Sequence, residues 1–419
     1  MSLLLERTAP LVDRARTSGV EARLLQVLVF VTVGLGSCEG YLLEYSDTLT
    51  KVPAALLVVT WFAVRVRRLR TPQFHPVHVA LGLLAIAVLA SAAIHNGDTF
   101  TMQYTQRWLS YLLTALVLLD VASREVPARV VVWAAVTGAA IAGGGALWSF
   151  LVEGEPRASG PMEDPNDLAY VVVAAVPLLI ALFARRPRPD RTTSLPRPAV
   201  ALIGVLVVVL VLGAAVTVSR GGFIALGVAL VWLALRRAIP GRVLAAAGAA
   251  VVVAAVVVVA LFPTLVGTAL NQKDQVAGSN VDDRALRWEV AATMIPEHPL
   301  LGVGPGGFRS NYLGVSHNAE LAEQTPVAHN MYVETAAELG LVGLAGFAAT
   351  IGVGLWASER AVRAAGDGPE RLLPLGVQGS LIAICVASTF LSEQYYMPLW
   401  SMIAVACALH LRSRRRVEP

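Results

Sequence analysis

Charged residues are scarce in this sequence. Only 15% of the 419 residues are charged and 56% are hydrophobic, whereas about a quarter of the residues in a soluble globular domain are charged. This composition excludes an ordinary soluble globule. Cysteine is also rare, because the chain has only Cys38, Cys385 and Cys407, with no metal-binding or redox spacing. We therefore expect neither a disulfide framework nor a metal site built from cysteine.

A cleavable signal peptide is also missing. The first residues, MSLLLERTAPLVDRAR, contain no small-residue cleavage site after an apolar core. We expect the first helix to be retained as both signal and membrane anchor. The high isoelectric point does not indicate nucleic-acid binding, because the positive charge is sorted by membrane side, as the loops show.

Long apolar runs recur along the whole chain, and most approach the length that crosses a hydrocarbon core. They predict an all-α polytopic membrane protein that forms a single integral membrane domain over residues 1–419. The second, fourth and eighth spans are short and need snorkelling ends or a thinner bilayer. The twelve predicted spans are residues 24–38, 50–64, 77–94, 108–122, 130–152, 168–184, 199–218, 222–235, 242–262, 331–357, 372–391 and 396–411.

The loops between these spans alternate between arginine-rich and arginine-poor. One side carries 25 basic and 10 acidic residues and the other carries 8 and 19, giving charges of +15 and −11 that together make the net +4. This sorting predicts that both termini are cytoplasmic. It places residues 263–329, a large loop with amphipathic helices between the ninth and tenth spans, on the extracytoplasmic side. The basic loops are explained by topology and by contact with anionic lipid.

The few cations on the acidic outer side are candidates for binding an anion. Arginine suits phosphate because its planar fork can bind two oxygens at once. Arg220, in TVSRGGFIAL, lies between two helices with almost no loop, where Gly221 and Gly222 would let the chain turn sharply and a ligand approach. An arginine at that depth is costly unless it is paired or faces a polar cavity. The alternative is an interfacial arginine that reaches the lipid headgroups.

A second group of candidates lies in the outer loop, in DDRALRWEVAATMI. Arg284 and Arg287 are three residues apart and share one face of an amphipathic helix. The alternative for this face is a salt bridge between Asp283 and Arg287. Arg157, in the outer loop RASGPMEDPNDLAY, is a further candidate for a phosphate contact. The run HPLLGVGPGGF (298–308) is interpreted as a structural turn, because it lacks the ending of a phosphate-binding loop.

Histidine supplies the candidate general base. His329 lies just ahead of a membrane helix, and an imidazole can accept the proton of a sugar hydroxyl near neutral pH. The alternatives are a helix-capping or interfacial role for His329 and a competing role for His317. Glu338 is a supporting candidate, because an acid so far into the membrane needs a partner, although helical spacing turns it away from His329.

These stretches together resemble the O-antigen ligase/polymerase superfamily of bacterial membrane glycan-assembly enzymes. The resemblance rests on RASGPMEDPNDLAY, SRGG, RALRWEVAATMIPEHPLLGVGPGGF and HNMYVETAAELGLVGLAGF, which occur in this order over residues 157–347. It implies a GT-C-like fold and a metal-independent transfer, without a cofactor, at the outer face of the cytoplasmic membrane. The implied donor is a glycan on a polyprenyl (undecaprenyl) diphosphate, and the implied acceptor is a lipid, glycan or protein.

By the same resemblance, Arg220 and Arg284 would hold the donor diphosphate, with Arg287 and Arg157 as helpers, and His329 would deprotonate or orient the acceptor hydroxyl. The motifs do not separate a ligase from a repeat-unit polymerase. A transporter of lipid-linked glycans is a different reading, but it predicts charges nearer the bilayer midplane. A non-catalytic assembly scaffold is another, and it predicts that Arg220→Ala and His329→Ala are harmless.

Overall fold

All regular secondary structure in the described part of the chain is helical. The computed structural model describes residues 19–183, 197–239, 262–319 and 326–417, together with residues 241, 256, 259 and 260. Its helices are α1 (Gly19–Leu35), α2 (Gly40–Leu43), α3 (Asp47–Arg68), α4 (Val77–Ile94), α5 (Thr101–Arg124), α6 (Ala128–Trp148), α7 (Pro165–Phe183), α8 (Arg197–Val216), α9 (Arg220–Leu235), α10 (Pro263–Glu297), α11 (Gly307–Val315), α12 (Met331–Ala364), α13 (Leu372–Ala387) and α14 (Met397–Val417). A π-helical turn, Ser149–Glu153, extends α6, and a 3-10 turn, Pro369–Arg371, precedes α13.

Within the described residues, six helical stretches are long and apolar enough to cross a membrane. They are Asp47–Arg68, Val77–Ile94, Ala128–Glu153, Pro165–Leu182, Met331–Ala364 and Pro369–Ala387, and two shorter apolar helices cover Ala201–Val216 and Arg220–Leu235. Large apolar side chains are exposed along several of these helices, for example Val59 and Phe62 on α3 and Ile86 on α4. Exposed apolar side chains on such helices are suited to contact with lipid, and the chain is a membrane protein.

The predicted helix positions agree with the structure more closely than the predicted count of spans. The expected span 77–94 coincides with α4, and the spans expected around 50–64 and 168–184 correspond to α3 and α7. Helices α1, α5 and α14 are present where spans were expected, but they are not among the stretches long and apolar enough to cross. The span expected at 242–262 falls almost wholly outside the described residues. The count of twelve therefore stays a prediction.

The helices pack around an aromatic cluster at the centre of the bundle. The ring of Trp108 on α5 meets Tyr395, Phe347 and Trp400 at centroid distances of 5.2, 5.7 and 6.1 Å, with steep angles between the rings. Edge-to-face pairs of this kind place the positive ring edge against the negative ring face. The cluster fixes α5, α12 and α14 against one another.

A network of ion pairs ties several helices together at one end of the bundle. Arg65, at the end of α3, donates from Nε to Asp120 at 2.6 Å and from both terminal nitrogens to Glu125 at 2.9 Å. Arg412 of α14 donates to the Ala122 carbonyl at 2.7 Å, so the end of α14 lies here too. The basic residues that topology assigns to the cytoplasmic side are thus held by carboxylates and carbonyls of the same end.

The same end also includes the ends of α9 and α12. Arg236 binds Glu359 of α12 at 2.7 Å, and one turn earlier the Trp356 ring lies 4.8 Å from the ring of His410 on α14. Helices α9, α12 and α14 therefore begin at the opposite end of the bundle. That opposite end carries the candidate functional residues.

Helix α12 is broken near its start by Gly340, whose backbone has φ +65° and ψ −171°. The break frees backbone groups that pair with the preceding turn-rich run. Val303 and Gly304 donate to the carbonyls of Ala337 and Glu338 at 2.9 and 3.0 Å, and Leu341 donates to the Pro299 carbonyl at 2.8 Å. The run 298–308 is therefore a structural turn, and α12, which covers the span predicted at 331–357, is broken at this glycine.

Candidate active site

His329 lies in the short segment that leads into α12, and neighbouring groups fix this segment on both sides. Its backbone is in the left-handed region, with φ +48°, which is uncommon for a residue other than glycine. Trp288 donates from Nε1 to the Ala328 carbonyl at 2.9 Å, and Arg287 donates to the Val327 carbonyl at 3.3 Å. The two residues before His329 are thus held against α10.

The residue after His329 starts helix α12. The side chain of Asn330 accepts hydrogen bonds from the N–H groups of Tyr332 and Val333 at 3.0 and 3.1 Å, which satisfies donors that would otherwise lack partners at a helix start. The Met331 N–H donates to the Ser388 carbonyl at 3.0 Å. The capping role that was the alternative for His329 is therefore filled by Asn330.

Two arginines and one aspartate shape the electrostatics of His329. Burial, followed by the charges of Arg287 and Arg284, lowers the pKa of His329 from 6.5 to about 4, and Asp164 and Glu334 oppose this shift. The imidazole is therefore neutral at neutral pH, with a lone pair available to accept a proton. The influence of Arg284, Arg287 and Asp164 on one ring also shows that these groups lie close to it.

Arg284 and Arg287 project from the second half of α10, as the sequence predicted from their spacing. Burial lowers the pKa of Arg284, Asp164 opposes this shift and Arg287 adds to it. Arg287 is 6% exposed. Two neighbouring guanidinium groups that are partly shielded from water repel each other. An anion with several oxygens can bind both groups and offset this repulsion.

Arg157 belongs to the loop between α6 and α7. The loop is anchored by the Ala158 N–H, which donates to the Val216 carbonyl at 3.3 Å, and by Asp164, which accepts from the Asn166 N–H at 2.6 Å. Arg157 is half-buried, and among the described residues its Nε has no hydrogen-bond partner. The loop that carries Arg157 therefore contacts the end of α8, just before Arg220, and also carries Asp164, which acts on His329.

Arg220 is the first residue of α9 and is exposed. Val218 makes the turn before it, with φ +52°, so the expectation that Gly221 and Gly222 make this turn is wrong. The two glycines instead allow close packing: a Cβ at Gly221 would lie 2.9 Å from the ring of Phe390, and one at Gly222 would lie 2.8 Å from the Cβ of Ala169. Side chains at these positions would push α9 away from its neighbours.

The predicted residues come from four chain segments at the same end of the bundle, namely the loop before α7, the start of α9, the second half of α10 and the segment before α12. Arg284, Arg287 and His329 share one electrostatic neighbourhood with Asp164. Arg220 approaches this region through the segment 388–396, which packs on Gly221 and accepts the Met331 N–H next to His329. We call Arg157, Arg220, Arg284 and Arg287 the arginine group.

The competing histidine, His317, lies elsewhere in the loop. It is exposed in the turn after α11, with φ +54°, and it is not among the groups that shift the pKa of His329 or Arg284. The structure thus places one of the two candidate histidines, His329, beside the paired arginines.

Glu338 is paired with Arg309, a residue that was counted on the outer side but not recognised as part of the site. Arg309 of α11 donates from Nη1 to Glu334 at 2.9 Å and to Glu338 at 3.2 Å, and its guanidinium lies 4.5 Å from the centre of the Tyr104 ring. Tyr395 donates to the other oxygen of Glu338 at 3.3 Å. Glu338 is therefore a partner of Arg309 and not of His329, and helical spacing had already turned it away from the imidazole.

The available signal for this ion cluster was the spacing of Glu334 and Glu338, which are four residues apart on one helix face and need a common cation. Burial alone would lower the pKa of Arg309, but the two carboxylates outweigh this effect and raise it. Both glutamates are completely buried.

A group of carboxyls next to the arginine group was also missed. Burial raises the pKa of Glu39 to about 7, with Arg107 opposing and Glu163 adding to the shift. Burial and the neighbouring Asp167 raise the pKa of Glu393 well above its ordinary value.

The described side chains also show whether a metal site is present. Among the described residues, no group of three or more His, Cys, Asp or Glu side chains is arranged to hold a metal ion.

Comparison with known proteins finds a match to a family. A family profile described as O-antigen ligase matches residues 205–348. The matched region contains Arg220, Arg284, Arg287 and His329, whereas Arg157 lies outside it. No curated protein matches the chain.

Proposed function

We propose that this chain, a member of the O-antigen ligase superfamily, is a membrane glycosyltransferase of surface-polysaccharide assembly. It transfers a glycan from a polyprenyl-diphosphate carrier to an acceptor hydroxyl at the extracytoplasmic face of the cytoplasmic membrane. The observation that carries the proposal is the position of His329 beside Arg284 and Arg287: Arg287 is bonded to the Val327 carbonyl two residues before the histidine, and both arginines lower the pKa of its imidazole. This arrangement offers a proton acceptor next to a site for a multiply charged anion.

The arginine group acts on the donor. When the bond between the sugar and the diphosphate breaks, negative charge accumulates on the departing phosphate oxygen. Fixed guanidinium groups at that point stabilise the transition state more than the ground state. Arg220 and Arg284 are the main contacts to the diphosphate in this proposal, and Arg287 and Arg157 assist them.

His329 acts on the acceptor. The acceptor oxygen attacks the anomeric carbon of the donor glycan, the bond from that carbon to the diphosphate oxygen breaks, and the acceptor proton passes to Nε2 or Nδ1 of His329. The leaving diphosphate takes the electron pair of the broken bond. A direct attack of this kind inverts the anomeric configuration, and it needs no covalent intermediate on a carboxylate.

The topology proposed here has twelve spans, cytoplasmic termini and residues 263–329 as an extracytoplasmic loop. The two polar ends of the bundle support it. Arg65, Arg236 and Arg412, which belong to arginine-rich stretches at helix ends, lie at one end, while the arginine group and His329 lie at the other. Basic loops favour the cytoplasmic side, which puts the proposed active site outside.

Arginine takes the place that a divalent cation fills in many diphosphate-dependent transferases, so the proposed transfer is independent of metal. The test is reconstitution of the purified chain with a polyprenyl-diphosphate oligosaccharide, with and without EDTA. We expect equal transfer in both reactions. Loss of transfer in EDTA that Mg²⁺ restores would contradict metal independence.

The choice of acceptor separates the two activities that share this chemistry. Transfer to a lipid or protein acceptor identifies a ligase, whereas extension of a second lipid-linked glycan identifies a polymerase. Movement of the donor across a vesicle bilayer without any transfer product would instead favour a transporter. If no acceptor is glycosylated and His329→Gln leaves polysaccharide assembly in cells intact, the chain is a scaffold and the proposed function is wrong.

A further inference from the structure

The carboxylate of Glu334 is saturated by four hydrogen bonds that come from three separate parts of the chain. Its Oε1 accepts from Arg309 Nη1 and from Gln394 Nε2, each at 2.9 Å. Its Oε2 accepts from the Ala328 N–H at 3.0 Å and from the Ser392 hydroxyl at 2.5 Å. Four donors, one of them a guanidinium, match the four lone-pair positions of an ionised carboxylate.

One of these four bonds reaches the residue immediately before the proposed base. Ala328 has its N–H held by Glu334 and its carbonyl held by Trp288. His329 follows with a left-handed backbone, a conformation that persists only where the surroundings determine it. Glu334 is five residues further along the chain and completely buried on the first turn of α12.

The other bonds of Glu334 connect the same carboxylate to the segment that borders Arg220. Ser392 and Gln394 belong to the segment 388–396, in which Phe390 packs on Gly221, next to Arg220. The side chain of Glu334 thus connects the backbone before His329 to the segment that packs next to Arg220, the other main candidate for donor binding.

We infer that Glu334 is a positioning residue for glycan transfer, which fixes the backbone of Ala328 and so holds the His329 imidazole in place relative to the arginine group. The inference rests on the proposed role of His329 as the base. Glu334 itself touches neither donor nor acceptor and acts through His329.

An amide cannot replace this carboxylate without losing one of the bonds. In Glu334→Gln, the NH₂ group must face either Arg309 and Gln394 or Ala328 and Ser392, and Arg309 and the Ala328 N–H can only donate. The second orientation costs less, because it keeps the bond from the charged Arg309 and the Ser392 hydroxyl can rotate to accept, so that only the bond from the Ala328 N–H is lost. The substitution therefore releases the backbone before His329.

The first measurement is the kinetics of Glu334→Gln in the reconstituted full chain. A misplaced base should lower kcat by about tenfold to a hundredfold while the KM for the lipid-linked donor changes by less than about threefold. The neighbouring Thr335→Val is the matched control, because Thr335 is equally buried and its hydroxyl bonds only within the helix, to Met331 at 2.7 Å. We expect wild-type kcat for Thr335→Val.

The second measurement is a double-mutant cycle with His329→Gln. If Glu334 acts through His329, adding Glu334→Gln to His329→Gln changes the residual rate by less than about threefold, whereas two independent effects would multiply. Multiplying effects would overturn the inference, and so would an unchanged kcat in Glu334→Gln or a parallel loss of transfer and donor binding. Full activity of His329→Gln alone would contradict the proposed function itself.

Trp288→Phe tests the same backbone from its other side, without disturbing a buried ion pair. Trp288 is 43% exposed, so the variant should fold even if Glu334→Gln does not. The change removes the hydrogen bond to the Ala328 carbonyl, and we expect kcat to fall by about threefold to tenfold with an unchanged donor KM. An unchanged kcat would show that fixing this backbone is irrelevant to transfer.

Discussion

His329 lies in a positive electrostatic field that the proposed donor would reduce. Burial, Arg287 and Arg284 hold its pKa at about 4, so the imidazole is a weak base. A bound diphosphate brings negative charge to the same two guanidinium groups. By the rule that an opposite charge nearby favours the charged form, donor binding should raise the pKa of His329 and make it a stronger base.

The pH dependence of transfer tests this effect at the level of the residue. His329 is a competent base only above its pKa, so activity should fall as pH decreases through that value. For kcat/KM of the donor, which reports on the free enzyme, the acidic fall should lie near pH 4. For kcat, which reports on the loaded enzyme, it should lie at higher pH. Coincident profiles, or an acidic fall that persists unchanged in His329→Gln, would contradict this role.

The sequence identified residues whose role depends on their chemical type, and it missed those whose role depends on a distant partner. Arg284, Arg287 and His329 could be selected because cations and histidines are few on the outer side. Arg309 could not be paired with Glu334 and Glu338, because the rest of α11 and the loop 316–330 lie between them in sequence. Only folding of α11 against the first turn of α12 brings them together.

The break in α12 is the element that shapes the site. Gly340 has φ +65°, and a Cβ there would lie 2.3 Å from the Leu300 backbone carbon. The run 298–308 can therefore form its backbone hydrogen bonds with α12 only because residue 340 is glycine. The sequence did not reveal this break, since glycine is common in membrane helices and HNMYVETAAELGLVGLAGF looks like one continuous helix. The positions of most helices could be predicted because the apolar runs are long and have clear polar ends.

Alanine at position 340 should destabilise the protein. The left-handed backbone and the clash with Leu300 together should cost about 1–3 kcal/mol of unfolding free energy, which would lower the thermal unfolding midpoint of the purified protein. Gly352→Ala is the matched control in the same helix, because a Cβ at 352 meets nothing within 4 Å. It should be neutral or stabilise by up to about 1 kcal/mol. Equal midpoints for the two variants would show that the break is not required.

At the scale of the whole molecule, the bundle has one end held by ion pairs between helices and another that carries the arginine group. Arg65, Asp120 and Glu125 fix the first end, and the second is the proposed substrate-binding end. Charge sorting in the sequence predicted which residues share an end, because the positive-inside rule acts on each loop independently. It could not establish the number of spans. Helices α1, α5 and α14 lie where spans were predicted, but they are not among the helices that are long and apolar enough to cross a membrane.

Cysteine labelling tests the sidedness of the two ends. After the three native cysteines are replaced by alanine, Asn96→Cys and Arg414→Cys introduce single exposed thiols at opposite ends of the bundle. A membrane-impermeant maleimide should label Asn96→Cys in intact cells and Arg414→Cys only after permeabilisation. The reverse pattern would place the arginine group in the cytoplasm and contradict the proposed topology.

The most direct measurement separates donor binding from turnover in two variants of the reconstituted protein. We expect His329→Gln to bind a polyprenyl diphosphate with nearly wild-type affinity and to lose transfer by at least about a hundredfold. We expect Arg284→Gln to weaken that binding, whereas Arg107→Gln, an exposed arginine at the same end that faces Glu39, retains both properties. Near-normal transfer by His329→Gln, or unchanged carrier binding by Arg284→Gln, would contradict a site in which arginines hold the diphosphate beside this imidazole.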